Sequence, residues 1–284
     1  MRFGFLLKRG KPEARELAGE LGELLRRKGC ALVASEEDAS AVSGARVVAP
    51  EVIGNCIDAL VVLGGDGTFL FGAGLVADHG VPLFGVNLGN MGFITHFARA
   101  QAAAALESAC DGRLSIDERM RLSVTLRSRE GTIVETRNAV NDAVISQAAM
   151  ARLLDFEARL DGEVVTVYKG DGLILATPTG STAYNLAAGG PILTPNLEAM
   201  VLTPICPHTL TNRPLVVSAR SKMVVTNVSG NSAQLTIDGQ WGRALGPGES
   251  IEVRKAERPL RTYRGASSFF AILHDKLSWG ERQS

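Results

Sequence analysis

The hydrophobic period of this chain changes partway along, and that change limits what each half can become. Up to about Asp117, strand-type runs alternate with helix-spaced segments. Arg2–Leu7 is a short apolar run. Pro12 then opens a helix in which Leu17, Leu21, Leu24 and Leu25 recur at helical spacing, and Gly29 ends it. Cys30–Ala34, Ala59–Leu63 and Pro82–Val86 read as further strands, and Phe69–Ala77 and Arg99–Cys110 as helices. Strands alternating with helices imply an α/β domain with a parallel sheet, whose ligands sit at the carboxyl ends of the strands. From about Met120 the period becomes two. Leu154, Phe156, Ala158 and Leu160 alternate before the hairpin turn Asp161-Gly162, and Val165 and Val167 continue beyond it. Met223–Val228, Gln234–Ile237 and Ser250–Val253 are further strands, so the C-terminal half reads as a β-rich domain. A last helix spans about Ser267–Leu277. The expected boundaries are 1–117 for the α/β domain and 118–266 for the β-rich domain. The helix in 267–284 is expected to pack back on the first.

Charge excludes some functions. Lys plus Arg and Asp plus Glu both number 30, so no overall field draws the chain toward nucleic acid or a membrane. A phosphorylated ligand must then be gripped by local donors. No apolar run reaches the roughly eighteen residues of a membrane span, and Met1–Lys8 lacks the features of a signal peptide. Cys30, Cys56, Cys110 and Cys206 lie far apart without metal-ligand spacing, which reads as buried, reduced thiols in a cytoplasmic protein. The four histidines are equally scattered, so no zinc site built by the protein is expected.

Four segments carry chemistry. Gly64-Gly65-Asp66-Gly67-Thr68 follows a buried strand and precedes a helix. Its glycines let a ligand approach the backbone, and its N–H groups beside a helix start form an oxyanion cradle. A carboxylate there, at Asp66, needs a cation or a proton to accept. The alternative is a tight turn with Asp66 or Thr68 as helix cap. Neither a P-loop lysine motif nor a Gly-x-Gly-x-x-Gly fingerprint follows an early strand. The second segment is Gly85-Val86-Asn87-Leu88-Gly89-Asn90-Met91-Gly92-Phe93-Ile94-Thr95, where Phe93 either covers an adenine face or packs in the core. The third runs from Gly170-Asp171-Gly172 through Thr177-Pro178-Thr179-Gly180-Ser181-Thr182-Ala183-Tyr184 to Gly189-Gly190-Pro191. Its hydroxyls at a helix start either bind a dinucleotide or over-cap the helix. The fourth is Asn141-Asp142, a polar pair in an apolar run, facing a site or occupying a hairpin edge or bulge.

In this order and at these separations, the segments resemble the bacterial NAD kinase family over nearly the whole chain, to Lys276-Leu277-Ser278-Trp279-Gly280. The Gly-Gly-Asp-Gly-Thr turn is also shared by diacylglycerol, sphingosine and phosphofructo-kinases. The stretch Gly170–Gly190, followed by Pro207-His208-Thr209-Leu210, is specific to NAD kinases. The resemblance implies a nucleotide-binding α/β domain and an NAD-binding β-rich domain. It implies ATP as phosphoryl donor, NAD as acceptor at its adenosine ribose 2′-hydroxyl, and a divalent cation, Mg²⁺, carried by ATP and touched at most by Asp66. It further implies a homodimer or homotetramer in which a neighbouring subunit contributes to the NAD site.

Carried over residue by residue, Asp66 matches the family's catalytic base and, with Gly67, its contacts to NAD, and Gly64, Gly65, Gly67 and Thr68 make the phosphate loop. Asn141 and Asp142 match the pair holding the adenosine ribose hydroxyls. Lys169, Asp171, Thr182, Ala183, Tyr184, Asn185, Leu186 and Ala187 match NAD contacts, as do Arg152 and Gln240. Leu70 and Phe93 match residues near the adenine. Asp142 stands where Glu is usual, one methylene shorter, and His96 replaces a frequent acid. Lys169, where relatives carry Arg or Gly, resembles the branch restricted to NAD and ATP. A lipid kinase would use the same turn, but no amphipathic basic helix for membrane docking stands out. A dinucleotide sensor would need no base beside the ribose.

Overall fold

A computed structural model describes residues 1–89, 92–147, 153–209 and 211–278. Of the motif residues above, Arg152, Asn90, Met91, Leu210, Trp279 and Gly280 lie outside the described residues. The chain divides into two compact units: Met1–Glu118 with the chain from Leu260 onward, and Arg119–Pro259. In chain order the elements are β1 (Arg2–Leu7), α1 (Pro12–Arg27), β2 (Ala31–Ala34), α2 (Glu36–Ala39), β3 (Arg46–Val47), α3 (Ile53–Cys56), β4 (Ala59–Gly64), α4 (Asp66–Val76), β5 (Leu83–Asn87), β6 (Phe97–Ala98), α5 (Arg99–Cys110) and β7 (Ile116–Arg119). Then follow β8 (Leu122–Arg127), β9 (Ile133–Ala139), β10 (Asp142–Gln147), β11 (Leu154–Leu160), β12 (Glu163–Gly170), β13 (Gly172–Ala176), α6 (Tyr184–Ala187) and β14 (Ala199–Ile205). The remainder is β15 (Leu215–Ser218), β16 (Met223–Asn227), β17 (Ala233–Ile237), β18 (Trp241–Leu245), β19 (Ser250–Lys255), β20 (Leu260–Tyr263) and α7 (Phe269–Leu277).

The first unit is built on one sheet in the order β3-β2-β1-β4-β5-β20-β7, with β6 on β5. β1, β2, β4 and β5 pair in parallel. Alternation sorts their side chains onto two faces. Phe3, Phe5, Leu7, Val61, Leu63, Phe84 and Val86 share a core with α1 and α5. Leu6, Leu60 and Val62 instead meet α4, where a Cβ on Gly72 would come within 3.0–3.2 Å of all three. Registers Leu7↔Leu63 and Gly64↔Asn87 bring the carboxyl ends of β1, β4 and β5 level. The loops that follow these strands therefore cluster at one edge of the sheet.

The second unit has two antiparallel six-stranded sheets, β15-β14-β13-β10-β17-β18 and β12-β11-β16-β19-β8-β9. Their inner faces share one core, including Leu122, Val124, Ile145, Phe156, Leu173, Val225, Leu235 and Val253. Both fold classes expected of the two halves are thus present.

Three local expectations are corrected. α4 begins at Asp66 rather than Phe69, because its first turn is made of a carboxylate, a glycine and a threonine that carry no apolar spacing. The helix expected after Pro178 is only a 3₁₀ turn, Gly180–Thr182, and the four-residue α6, so there is no helix start able to concentrate a dipole. The cysteines are not uniformly buried: Cys206 is exposed, and the other three are half-buried. Sγ atoms of Cys30 and Cys110 lie 3.9 Å apart, and burial pushes the Cys110 thiol up to about 12.

Candidate active site

The first group of site residues stands in the first unit, at the carboxyl ends of β4 and β5. Gly65, not Asp66 or Thr68, occupies the N-cap position of α4, and no side chain caps that helix. The capping alternative therefore fails, and the Asp66 carboxylate is used elsewhere. Its Oδ2 accepts from the Phe93 N–H at 3.0 Å, and its Oδ1 accepts from the Thr95 N–H at 3.3 Å and the Thr95 hydroxyl at 3.0 Å. Asn87 Nδ2 donates to the same hydroxyl oxygen at 2.8 Å, and Asn87 Oδ1 accepts from the Gly89 N–H at 2.8 Å. The buried Thr95 thereby links Asn87 to Asp66 and fixes the carboxylate's orientation.

Gly92 explains how the loop can close this far. A Cβ there would lie 1.9 Å from Asp66 Oδ1. Gly64 is equally confined, 2.5 Å from Thr68 Oγ1 by the same measure, whereas Gly65 and Gly67 would meet no atom within 4 Å. Gly64, Gly65, Asp66, Asn87, Gly89 and Gly92 line one cavity of about 290 Å³. Leu70 is buried within α4, and Phe93 is half-buried beside the carboxylate that its N–H contacts.

The second group stands in the second unit, around the start of β10. Asn141 and Asp142 are buried, and Asn141 Oδ1 has no hydrogen-bond partner. β10 runs between β13 and β17, so the segments after those two strands flank the pair. After β13, the Thr177 N–H donates to the Asn141 carbonyl at 2.8 Å, and the Thr177 hydroxyl donates to the Val140 carbonyl at 2.6 Å. Gly180 packs so closely that a Cβ would stand 2.1 Å from the Asn141 carbonyl oxygen. After β17, Asp238 accepts the main-chain N–H groups of Val140, Asn141 and Asp142 at 2.8, 2.7 and 3.0 Å. Gln240 follows in the same turn, exposed, its N–H donating to the Ile237 carbonyl at 2.9 Å.

The Asp238 carboxylate disturbs that of Asp142. Burial, and then the charge of Asp238, push Asp142 up to about 7. Burial also raises Asp238, against the three N–H donors and Arg121, which favour its ionised form.

The hydroxyl-rich stretch is mostly engaged internally. Ser181 Oγ donates to the Pro178 carbonyl at 2.6 Å, and Thr182 Oγ1 to the Thr179 carbonyl at 3.3 Å. Asn185, fully buried, donates to the Ser181 and Pro191 carbonyls and accepts from the Thr203 hydroxyl, so its side chain braces the turn. Thr179 Oγ1 is the exception, buried without a partner. Thr182, Ala183 and Leu186 are half-buried, and Tyr184 and Ala187 are exposed.

Lys169 and Asp171 are not brought to this place. They bracket the junction of β12 and β13, whereas Asp142 pairs with Ala176 at the far end of β13. From Gly172 to Ala176 is about 13 Å of strand. Lys169 is exposed, its carbonyl accepts the His208 N–H at 2.8 Å, and Asp171 Oδ1 accepts from Gln147 Nε2.

Sequence reasoning missed Thr95 and Asp238. Thr95 was legible as part of its motif, but its hydroxyl bond to Asp66 was not. Asp238 carried one usable signal, an Asp-Gly step after an alternating run, which reads only as a turn. No group of three His, Cys, Asp or Glu able to hold a metal occurs among the described residues.

The arrangement can be set beside known proteins. Residues 3–114 match the ATP-NAD kinase N-terminal domain, and residues 140–265 the ATP-NAD kinase C-terminal domain. An NAD kinase of Geotalea daltonii is 43% identical over 273 residues, which cover 95% of this chain and 96% of that one. One of Koribacter versatilis is 41% identical over 280 residues, 98% of each. Among solved structures, yeast NADH kinase complexed with NADH aligns with a TM-score of 0.93 at 26% identity, covering 100% of this chain and 90% of that chain. Both family models fall on the two units that hold the Asp66 and Asn141 groups, and full-length relatives exceed 40% identity: the chain belongs to the NAD kinase family.

Proposed function

We propose that this enzyme makes NADP by moving the γ-phosphoryl group of ATP to the 2′-hydroxyl of the adenosine ribose of NAD, with Asp66 as general base. The observation that carries the reading is the Asp66 carboxylate, held by Phe93 and Thr95 yet lining a cavity at the carboxyl ends of β4 and β5. The 2′-oxygen attacks the γ-phosphorus and loses its proton to Asp66. The bond from phosphorus to the β–γ bridging oxygen breaks, and ADP leaves with that electron pair. Asn141 and Asp142 hold the ribose hydroxyls, and the unpartnered Asn141 Oδ1 supports that role, since a buried polar atom without a partner is otherwise costly. Tyr184 and Gln240, both exposed, are assigned to NAD together with Thr182, Ala183 and the short α6.

A divalent cation fits the residues present only as a companion of ATP. No protein cluster would hold it alone, but Asp66 Oδ2 accepts a single N–H and keeps a lone pair of the hard-oxygen type that Mg²⁺ prefers. When bound, the ion neutralises charge on the phosphate oxygens. Asp66 is the protein ligand that would meet it.

Lys169 and Asp171, about 13 Å along the strand from the Asn141 end, are assigned to the NAD site of a neighbouring copy in a homodimer or homotetramer. Light scattering at assay concentration tests this, a monomer being the contrary result. A basic Lys169 goes with restriction to NAD and ATP, and turnover of NADH or polyphosphate comparable to NAD and ATP would overturn that assignment. Four unpaired cysteines support the cytoplasm as compartment. No helix among the described residues is long and apolar enough to cross a membrane.

The primary test is NADP formation from NAD, ATP and Mg²⁺ by the purified protein, read through an NADP-specific dehydrogenase. Rapid, metal-dependent formation is expected. Saturable NAD binding without NADP formation, in protein shown to be folded, would make it a dinucleotide sensor.

A further inference from the structure

The cavity beside Asp66 is lined by more than the glycine-rich turn. Lys8, Lys11 and Lys276 also line it. They come from three places in the sequence. Lys8 directly follows β1, its N–H bonded to the Leu63 carbonyl at 2.8 Å; Lys11 is the N-cap residue of α1; Lys276 lies in the last turn of α7. Two lysines of this chain have carboxylate partners among the described residues. Lys28 pairs with Asp111, Lys255 with Glu198, and Arg9, between two of the three, with Glu37. Lys8, Lys11 and Lys276 have no carboxylate partner among the described residues. The one carboxylate lining the same cavity among the described residues, Asp66, is tied to Phe93 and Thr95.

Three further features favour an anion here. The N-termini of α1 and α4 both stand at this cavity, at Lys11 and Gly65, and each presents unpaired N–H groups with a positive dipole end. Gly65 has ordinary extended backbone angles and open space where a Cβ would stand, so neither strain nor packing requires a glycine there, whereas a ligand lying on the backbone would. The cavity holds about 290 Å³, at the lower edge of pockets that enclose whole small molecules. Its size suits a phosphate chain better than an entire nucleotide.

We propose that Lys8, Lys11 and Lys276 form a clamp for the triphosphate of the phosphoryl donor and position it for transfer. The clamp rests on the reaction proposed above. It makes the C-terminal helix a functional part of the donor site, through a residue far from the glycine-rich turn in sequence.

The test uses the full chain with Lys8→Gln, Lys11→Gln and Lys276→Gln, singly and together, and Lys255→Gln as a control for net charge. Binding of inorganic tripolyphosphate and of ATP is measured by calorimetry, and KM for ATP and for NAD by steady-state kinetics. Each clamp substitution is expected to weaken tripolyphosphate and ATP by about tenfold, the size of one charge-assisted contact, with KM for NAD unchanged. The triple variant should lose detectable tripolyphosphate binding, and Lys255→Gln should match the wild type. Unchanged tripolyphosphate binding and KM for ATP in the triple variant would overturn the clamp while leaving the reaction standing. Tripolyphosphate binding that depends on the lysines, in an enzyme that forms no NADP, would keep the anion site and sink the reaction.

Discussion

The two units treat their key polar groups in opposite ways. In the parallel unit the Asp66 carboxylate is held on both oxygens by donors from the loop after β5, with a lone pair of Oδ2 left open, so its position is set before any substrate arrives. In the antiparallel unit the backbone of Asn141 and Asp142 is fixed by Asp238 and Thr177, while Asn141 Oδ1 and Thr179 Oγ1 stay buried and unpaired. The first is the pattern of a group that acts through chemistry at a defined point. The second is the pattern of a surface that completes its hydrogen bonds with a ligand. Preorganisation thus takes two forms in one chain, a fixed charge and a fixed vacancy in the hydrogen-bond network.

The sharpest way to break this contrast is Asp66→Asn, which removes the proposed base but keeps the side-chain shape. Turnover should fall by about 10²–10⁴, as measured by initial rates of NADP formation. A rate within a few-fold of wild type would mean that Asp66 is not the base. Asn141→Ala probes the other unit. Deleting an acceptor that has no protein partner should leave the melting temperature nearly unchanged while raising KM for NAD by about tenfold, because the ligand loses a buried hydrogen bond. A large drop in melting temperature would show instead that Asn141 serves the fold.

Asp238→Asn should do the reverse, costing stability of about 1–3 kcal/mol by denaturant titration, since a carboxylate that accepts three backbone donors becomes an amide with one acceptor oxygen. The smallest expected effect is on pH dependence. Asp142 is raised, so the folded protein holds a proton between the ordinary carboxylate range and about 7 that the unfolded chain has lost. This group's contribution to stability therefore declines as pH rises through that window. If its carboxylate accepts from the ribose hydroxyls as proposed, NAD affinity should tighten from pH 6 to pH 8 by at most about tenfold. Asp142→Asn should flatten that profile, and Asp238→Asn should move its midpoint downward.

The sequence disclosed the two units unequally, for a physical reason. In the parallel unit, strand, turn and helix are contiguous, so Ala59–Leu63 followed by Gly-Gly-Asp-Gly-Thr located Asp66 at a strand's carboxyl end without any long-range knowledge. What stayed hidden was the partner of that carboxylate, because the bond from Thr95 spans 29 residues. In the antiparallel unit, function depends on which strands are neighbours. Asn141 was legible as a polar residue in an apolar run, but Asp238, 97 residues away, joins it only because β17 pairs with β10. The helix expected after Pro178 is cut short where Thr177, just before it, bonds to the Val140 and Asn141 carbonyls and the Ser181 hydroxyl turns back to the Pro178 carbonyl. Lys8, Lys11 and Lys276 were invisible as a set, since each alone is an ordinary exposed lysine.

The division of labour between the units is tested most directly by the equilibrium affinity of Asp66→Asn for NAD, measured by calorimetry in protein whose melting temperature matches wild type. A dissociation constant within about twofold of wild type, alongside the lost turnover, is the result predicted for a base whose contact with the 2′-hydroxyl adds little to NAD affinity. A tenfold or greater loss of NAD affinity would contradict it, and would make Asp66 chiefly a group that holds NAD.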